Sequence, residues 1–103
     1  MIRAVFYKRN NALSGFKITG HAGHGYEGND IVCAAITSST ELVCNTITDF
    51  FHEKAEVSVG ENEIILKLDG GSDAAQKLLE AFFDQIEYNA EQYGKIRLEI
   101  QPG

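Results

Sequence analysis

The sequence predicts an α+β domain with elements in the order ββαββαβ. Three observations carry this. Apolar residues alternate with polar ones over residues 2–9, 13–20, 54–60, 63–69 and 95–101, the period of a strand with one buried face. Over 30–52 and 72–93 they recur instead at three- to four-residue steps, the period of an amphipathic helix. Asn and Gly cluster at the joins, where the chain must reverse. Alternating strands imply a mainly antiparallel sheet, and the two long helices must cover a sheet face or meet each other. A length of 103 residues supports one domain, 1–103, with no linker or repeat. A domain this small buries only about 60–70% of its extended-chain surface, so a partner chain would help it.

In IRAVFYKR, Ile2, Ala4 and Phe6 alternate with Arg3, Val5 and Tyr7; in LSGFKITG, Phe16 and Ile18 alternate with Gly15, Lys17 and Thr19. Asn10-Asn11 between them suits a tight hairpin turn, because Asn tolerates positive φ. GHAGHGYEGN, residues 20–29, holds four glycines in ten and builds neither helix nor strand, so a mobile loop is expected. Asp30 then offers an N-cap, and Ile31, Ala35, Leu42, Ile47 and Phe50 share much of one helix face. The many β-branched residues of this helix make it depend on packing. KAEVSVG and EIILKLD form a second hairpin about Gly60-Glu61-Asn62. Ser72 or Asp73 caps a second helix, on which Ala75, Leu78, Leu79, Phe82, Ile86 and Tyr93 line one face, and Gly94 stops it. KIRLEIQ alternates as a last strand. Phe50-Phe51, His52 and Phe82-Phe83 read as structural residues on helix faces.

The balance of 9 Lys+Arg against 15 Asp+Glu gives a formal charge of −6. It argues against a general nucleic-acid binder and favours a cationic partner. The small basic group Lys8, Arg9 and Lys17 is a weak basis for an RNA-binding reading. No apolar run approaches the roughly 18–20 residues of a membrane span. The opening MIRAVFYKRN lacks a signal core, so a cytoplasmic location is expected. Two cysteines make no disulfide framework.

The chemistry concentrates in GHAGHGYEGNDIVCAAIT, residues 20–37. With Asp30 as N-cap, Cys33 is the third helical residue. Its sulfur then lies near unpaired backbone N–H groups and the positive end of the helix dipole, both of which favour a thiolate. The same N–H groups can hold an oxyanion during acyl transfer. A histidine from the preceding loop, His21 or His24, can serve as general base, and spacing does not separate the two. Asp30 opposes the thiolate by its charge, or else orients the imidazole. The plainer reading of Cys33 is a small apolar residue in the core. Thr37, one turn on, can face the sulfur or bond back to the Cys33 carbonyl. A zinc site from His21, His24, Cys33 and Asp30 is conceivable. Cys44 would stand about 16 Å further along the helix at 1.5 Å per residue, too far to join it or to form a disulfide with Cys33. Cys44 reads as a core or interface residue. A phosphate-loop reading fails because the loop has no Lys and Glu27 and Asp30 repel phosphate.

Gly20-His21-Ala22, followed by Gly28 and by Asp30-Ile31-Val32-Cys33-Ala34, resembles the ribosomal-processing cysteine protease family Prp, and the twelve-residue offset from His21 to Cys33 agrees with the family pattern. The resemblance implies that Cys33 is the nucleophile, His21 the general base and Asp30 a supporting acid, while His24 falls at a variable position. Thr37 stands where the family often has Ser and is a candidate support for the sulfur. The loop residues Gly20, Ala22, Gly23, Gly25 and Gly28 become candidates for substrate contact. The family is a single small domain without cofactor or metal, dimeric through its helices, with a loop that orders around substrate. Its activity, by resemblance, is removal of the N-terminal extension of large-subunit ribosomal protein twenty-seven after a Phe-rich stretch, in support of ribosome assembly, with no nucleic acid or membrane as direct partner. The alternative is a non-catalytic module that binds the ribosome or a basic protein.

Overall fold

The first strand, β1 (Ile2–Arg9), turns through Asn10-Asn11 into β2 (Ala12–Thr19). In this computed structural model, which describes residues 1–20 and 31–103, both asparagines have positive φ, 53° and 66°. That is the left-handed turn whose twist matches a two-residue hairpin. The hairpin carries one irregularity. Tyr7 pairs with Gly15 and Lys8 with Leu13, which leaves Ser14 as an extra residue. Gly15 has φ of 153°, and a Cβ there would stand 2.1 Å from the Leu66 carbonyl oxygen on the neighbouring strand. Only glycine fits. Beside the bulge, Gln76 takes the place of a strand neighbour: its Oε1 accepts from Leu13 N–H at 2.8 Å and its Nε2 donates to Leu13 C=O at 2.7 Å.

The second hairpin is β3 (Ala55–Gly60) and β4 (Glu63–Leu68), joined by Glu61-Asn62, with Asn62 at φ 63°. The last strand is β5 (Ile96–Pro102). Together they form one five-stranded sheet in the order β3-β4-β2-β1-β5. It is antiparallel except where β5 runs parallel to β1, Ile2 opposite Ile96 and Phe6 opposite Ile100.

Both helices, α1 (Ile31–Asn45) and α2 (Asp73–Tyr93), pack on the same face of this sheet. Ser72 caps α2, its hydroxyl accepting from Ala75 N–H at 3.1 Å, and Gly94 closes it in the left-handed conformation. Phe6 lies at the centre of the core, with ring centroids 5.7 Å from Phe16, 5.6 Å from Phe82 and 5.1 Å from Phe83. On the open face Val5 is also buried, between its cross-strand neighbours Lys17 and Glu99. Arg3 donates to Glu99 there at 2.9 Å and, with Gln101, holds that carboxyl below the usual range.

The two helices correct the sequence reading at several points. The buried stripe of α1 is Val32, Ile36, Thr40 and Val43, continued by Ile47. Of the expected face only Ile47 is buried; the rest is turned outward, Ile31 73% exposed, Leu42 67% and Phe50 76%, with Ala35 exposed too. The sequence has two apolar stripes about one residue, or 100°, apart, and packing on the sheet selects one of them. The expected helix over 30–52 also changes form: after Asn45 it widens into a π-helical turn, Thr46–Phe50, and His52 at φ 51° ends it. On α2, Tyr93 lies at the last residue and is exposed, beyond the reach of the core. Finally, Ile31–Phe50 is long and apolar enough by composition to cross a membrane, contrary to the expectation that no stretch would be. Its Thr and Ser residues hide this by breaking the apolar run. In the fold one side of the segment closes the core.

Candidate active site

Cys33 occupies the third position of α1, in its first turn. It is half-buried and rests against the hydrophobic core rather than within it. A helix start leaves its first N–H groups without intrahelical partners, so this is the end of α1 where an anion can be held. Cys44, eleven residues on, is buried at 4% exposure, and burial, with some help from Glu41, pushes its thiol up to about 11. The structure therefore separates the two cysteines, one half-buried at the helix start and one sealed in the core, the first of the two places the sequence left open for Cys44. No disulfide joins them.

Thr37, one turn after Cys33, is exposed and lines a cavity of about 170 Å³ between α1 and the sheet. Thr40 of α1 bonds back to Ile36 C=O, and in the π-helical turn Thr46 bonds back to Leu42 C=O and Thr48 to Cys44 C=O. The cavity has an apolar floor of Ile2, Ile18, Ile36 and Ile64. Val59 stands at its side, and Glu41 and Glu63 give it an acidic border. Gly20 lines it as well. Gly20 is pinned at the end of β2: its N–H donates to Asn62 C=O at 3.0 Å, its φ is 67°, and a Cβ would come within 2.9 Å of Met1 C=O. Two points of the predicted site thus meet at one cavity: the strand end that leads directly to His21, and the helix turn that follows Cys33.

His21, Ala22, Gly23, His24, Gly25, Gly28 and Asp30 lie outside the described residues. Among the described residues no group of His, Cys, Asp or Glu has the arrangement of a metal site. The sequence reading missed Val59, Asn62, Ile64 and Glu41 as neighbours of the site. Val59, Asn62 and Ile64 approach Gly20 because β4 pairs with β2, Thr19 opposite Glu63, a strand order that local patterns do not encode, and Glu41 comes from α1.

The model of the family described as cysteine protease Prp matches residues 1–97. A crystal structure of SMU.848 from Streptococcus mutans superposes with a TM-score of 0.85 at 27% identity, covering 100% of this chain and 96% of that one. The essential ribosomal processing protease Prp from S. aureus, in complex with a covalently linked product peptide, superposes with a TM-score of 0.86 at 24% identity, over 97% of this chain and 99% of that one. The same protease in complex with a substrate peptide gives 0.86 at 23% identity, with the same coverage. At the last two identities the likeness is one of fold. No curated protein matches the sequence. With nearly its whole length matched by the family model and its Cys33 at the start of α1, the chain belongs to the Prp family of cysteine proteases.

Proposed function

We propose that this protein is a cytoplasmic ribosomal-protein-processing protease that removes the N-terminal extension of large-subunit ribosomal protein twenty-seven after its Phe-rich stretch, and so serves ribosome biogenesis. The observation that carries this reading is that Gly20, the strand end before His21, and Thr37, one turn after Cys33, line one apolar cavity between α1 and the sheet. A cavity of about 170 Å³ floored by four isoleucines suits an aromatic or large aliphatic side chain of a peptide. The acidic border suits a basic substrate protein. The S. aureus relative, a ribosomal processing protease seen with substrate and product peptides, supports the same substrate class.

In the mechanism, the Cys33 thiolate attacks the scissile carbonyl carbon, and the carbonyl oxygen becomes an oxyanion held by N–H groups at the start of α1. His21, as imidazolium oriented by Asp30, gives its proton to the departing amine as the C–N bond breaks. The acyl group remains on sulfur as a thioester. Water, losing a proton to His21, then attacks the thioester and releases the carboxylate product and the thiolate. Glycines 20, 23, 25 and 28 and Ala22, with little or no side chain, are the proposed contacts for the peptide backbone. Thr37 supports the sulfur or the substrate from the next turn.

The protein acts as a homodimer in this reading. Ile31, Leu42 and Phe50 form an exposed apolar face on the helix side, the kind of surface that a second copy covers.

The test is incubation with a peptide spanning a Phe-Phe-containing ribosomal extension, followed by mass spectrometry. One cut after the Phe-rich stretch, absent in Cys33→Ser, is expected. Cutting by Cys33→Ser at the wild-type rate removes the protease mechanism. Tight peptide binding without any cut by the wild type points instead to the non-catalytic module.

A further inference from the structure

The face most distant from the cavity in strand order also carries a groove. It lies between α2 and β5, at the far edge of the sheet, and has a volume of about 530 Å³. Phe83, Leu98 and Ile100 form its floor, and Ile100 is 50% exposed. Glu87 and Glu91 of α2 overlook it. β5 pairs with β1 on one side only, so its outer edge offers backbone N–H and C=O groups to another strand.

The charge on α2 is one-sided. Glu80, Asp84, Glu87 and Glu91 recur at steps of four, three and four and therefore share one stripe. Like charges at that spacing repel. The helix has a single cation, Lys77, and it sits 3.6 Å from Asp73, at the other end. Among the described residues no cation pairs with Glu87 or Glu91. An apolar floor, an open strand edge and an unneutralised acidic wall lie together.

We propose that this groove docks an extended, lysine- or arginine-bearing segment of a basic protein, added to β5 as a sixth strand. Side chains on one face of such a segment lie over the floor, where the aliphatic stems of Lys or Arg cover Phe83, Leu98 and Ile100 while their charged ends reach Glu87 and Glu91. Backbone hydrogen bonds to β5 supply the register. A second copy of this chain fits poorly, because it would bring the same glutamates against each other.

The test uses the full-length protein and an acetylated, amidated peptide of alternating Val and Lys, whose strand form carries all lysines on one face. Binding is read by fluorescence anisotropy and by backbone amide shifts. We expect shifts on β5 and α2. We expect the Glu87→Gln, Glu91→Gln double variant to weaken binding about tenfold, since both changes are on the surface and remove two charge-assisted contacts. A central proline in the peptide should weaken it comparably by blocking the added strand. Glu61→Gln, on the β3–β4 turn, should leave it unchanged. The proposal falls if Glu61→Gln weakens binding as much as the double variant, or if the proline peptide binds equally well. It also falls if Ile100→Lys changes the oligomeric state of the protein while peptide affinity stays the same, which would make the groove a contact between copies. None of these readouts needs peptide hydrolysis, so they stand apart from the protease reading.

Discussion

Cys33 and Cys44 share one helix and differ by eleven residues, about three turns, yet they occupy opposite chemical situations. The first is half-buried in the opening turn of α1, at the helix end that can hold negative charge and one turn before Thr37 of the cavity wall. The second is enclosed by the sheet and α1 with its thiol raised to about 11. Residue type is the same, and the helix is the same; what differs is which end of the helix dipole each sulfur meets and how much water reaches it. In the proposed mechanism, position along the helix sets reactivity more than the side chain itself.

Removing each sulfur in turn gives the largest contrast. Cys33→Ala should lower kcat/KM for a Phe-Phe-containing peptide by a factor on the order of 10⁴ or more, with little change in melting temperature. Cys44→Ala should keep the activity and cost about 1–2 kcal/mol of stability from the cavity it leaves, measured by urea unfolding. The reverse pattern would exchange the roles of the two residues. His21→Ala should reduce peptide hydrolysis by about 10²–10⁴. Iodoacetamide at neutral pH should then label Cys33 quickly in the wild type and slowly in His21→Ala, while Cys44 is labelled only in urea; peptide mapping reads both sites.

The pH dependence sharpens the comparison further. Well below pH 9.0 the Cys44 thiol is protonated whether the chain is folded or unfolded. Between 9.0 and about 11 the unfolded thiol ionises and the folded one does not, so stability falls as pH rises through that window. The loss should approach about 2–3 kcal/mol by pH 11, and Cys44→Val should remove this part of the slope in urea titrations. The smallest expected effect is at Thr37. Thr37→Ser keeps the hydroxyl and should change kcat/KM by less than about threefold, whereas Thr37→Val should cost more if the hydroxyl faces the reaction, by about tenfold, the range of one neutral hydrogen bond.

Much of the fold was legible because it is written locally. Asn10-Asn11, Ser72 and Gly94 each fix a turn or cap through their own backbone chemistry, and the structure has all three in those roles. The strands came from alternation, which shows a buried face directly. The working face of α1 was not legible, since two apolar stripes compete and only the sheet decides between them. Nor was the parallel pairing of β5 with β1, which joins residues more than ninety positions apart. The bulge at Ser14 was hidden for a related reason: the Gly15 requirement comes from Leu66 on another strand. For the site, the position of Cys33 followed from the capping pattern, and the family resemblance selected His21 over His24. The cavity lined by Gly20 and Thr37 was invisible, because its walls come from β1, β2, β3, β4 and α1 at once.

The union of the first strand with the last has a consequence in time. Until β5 emerges during synthesis, β1 has a bare edge and the core lacks Ile96. Long loop closure is slow relative to local structure. A nascent chain can form its hairpins and helices early, but β1 gains its second neighbour only once residues 96–102 have been made. A peptidase built in this way has an incomplete sheet, on the very machine whose parts it is proposed to trim, until β5 has been made.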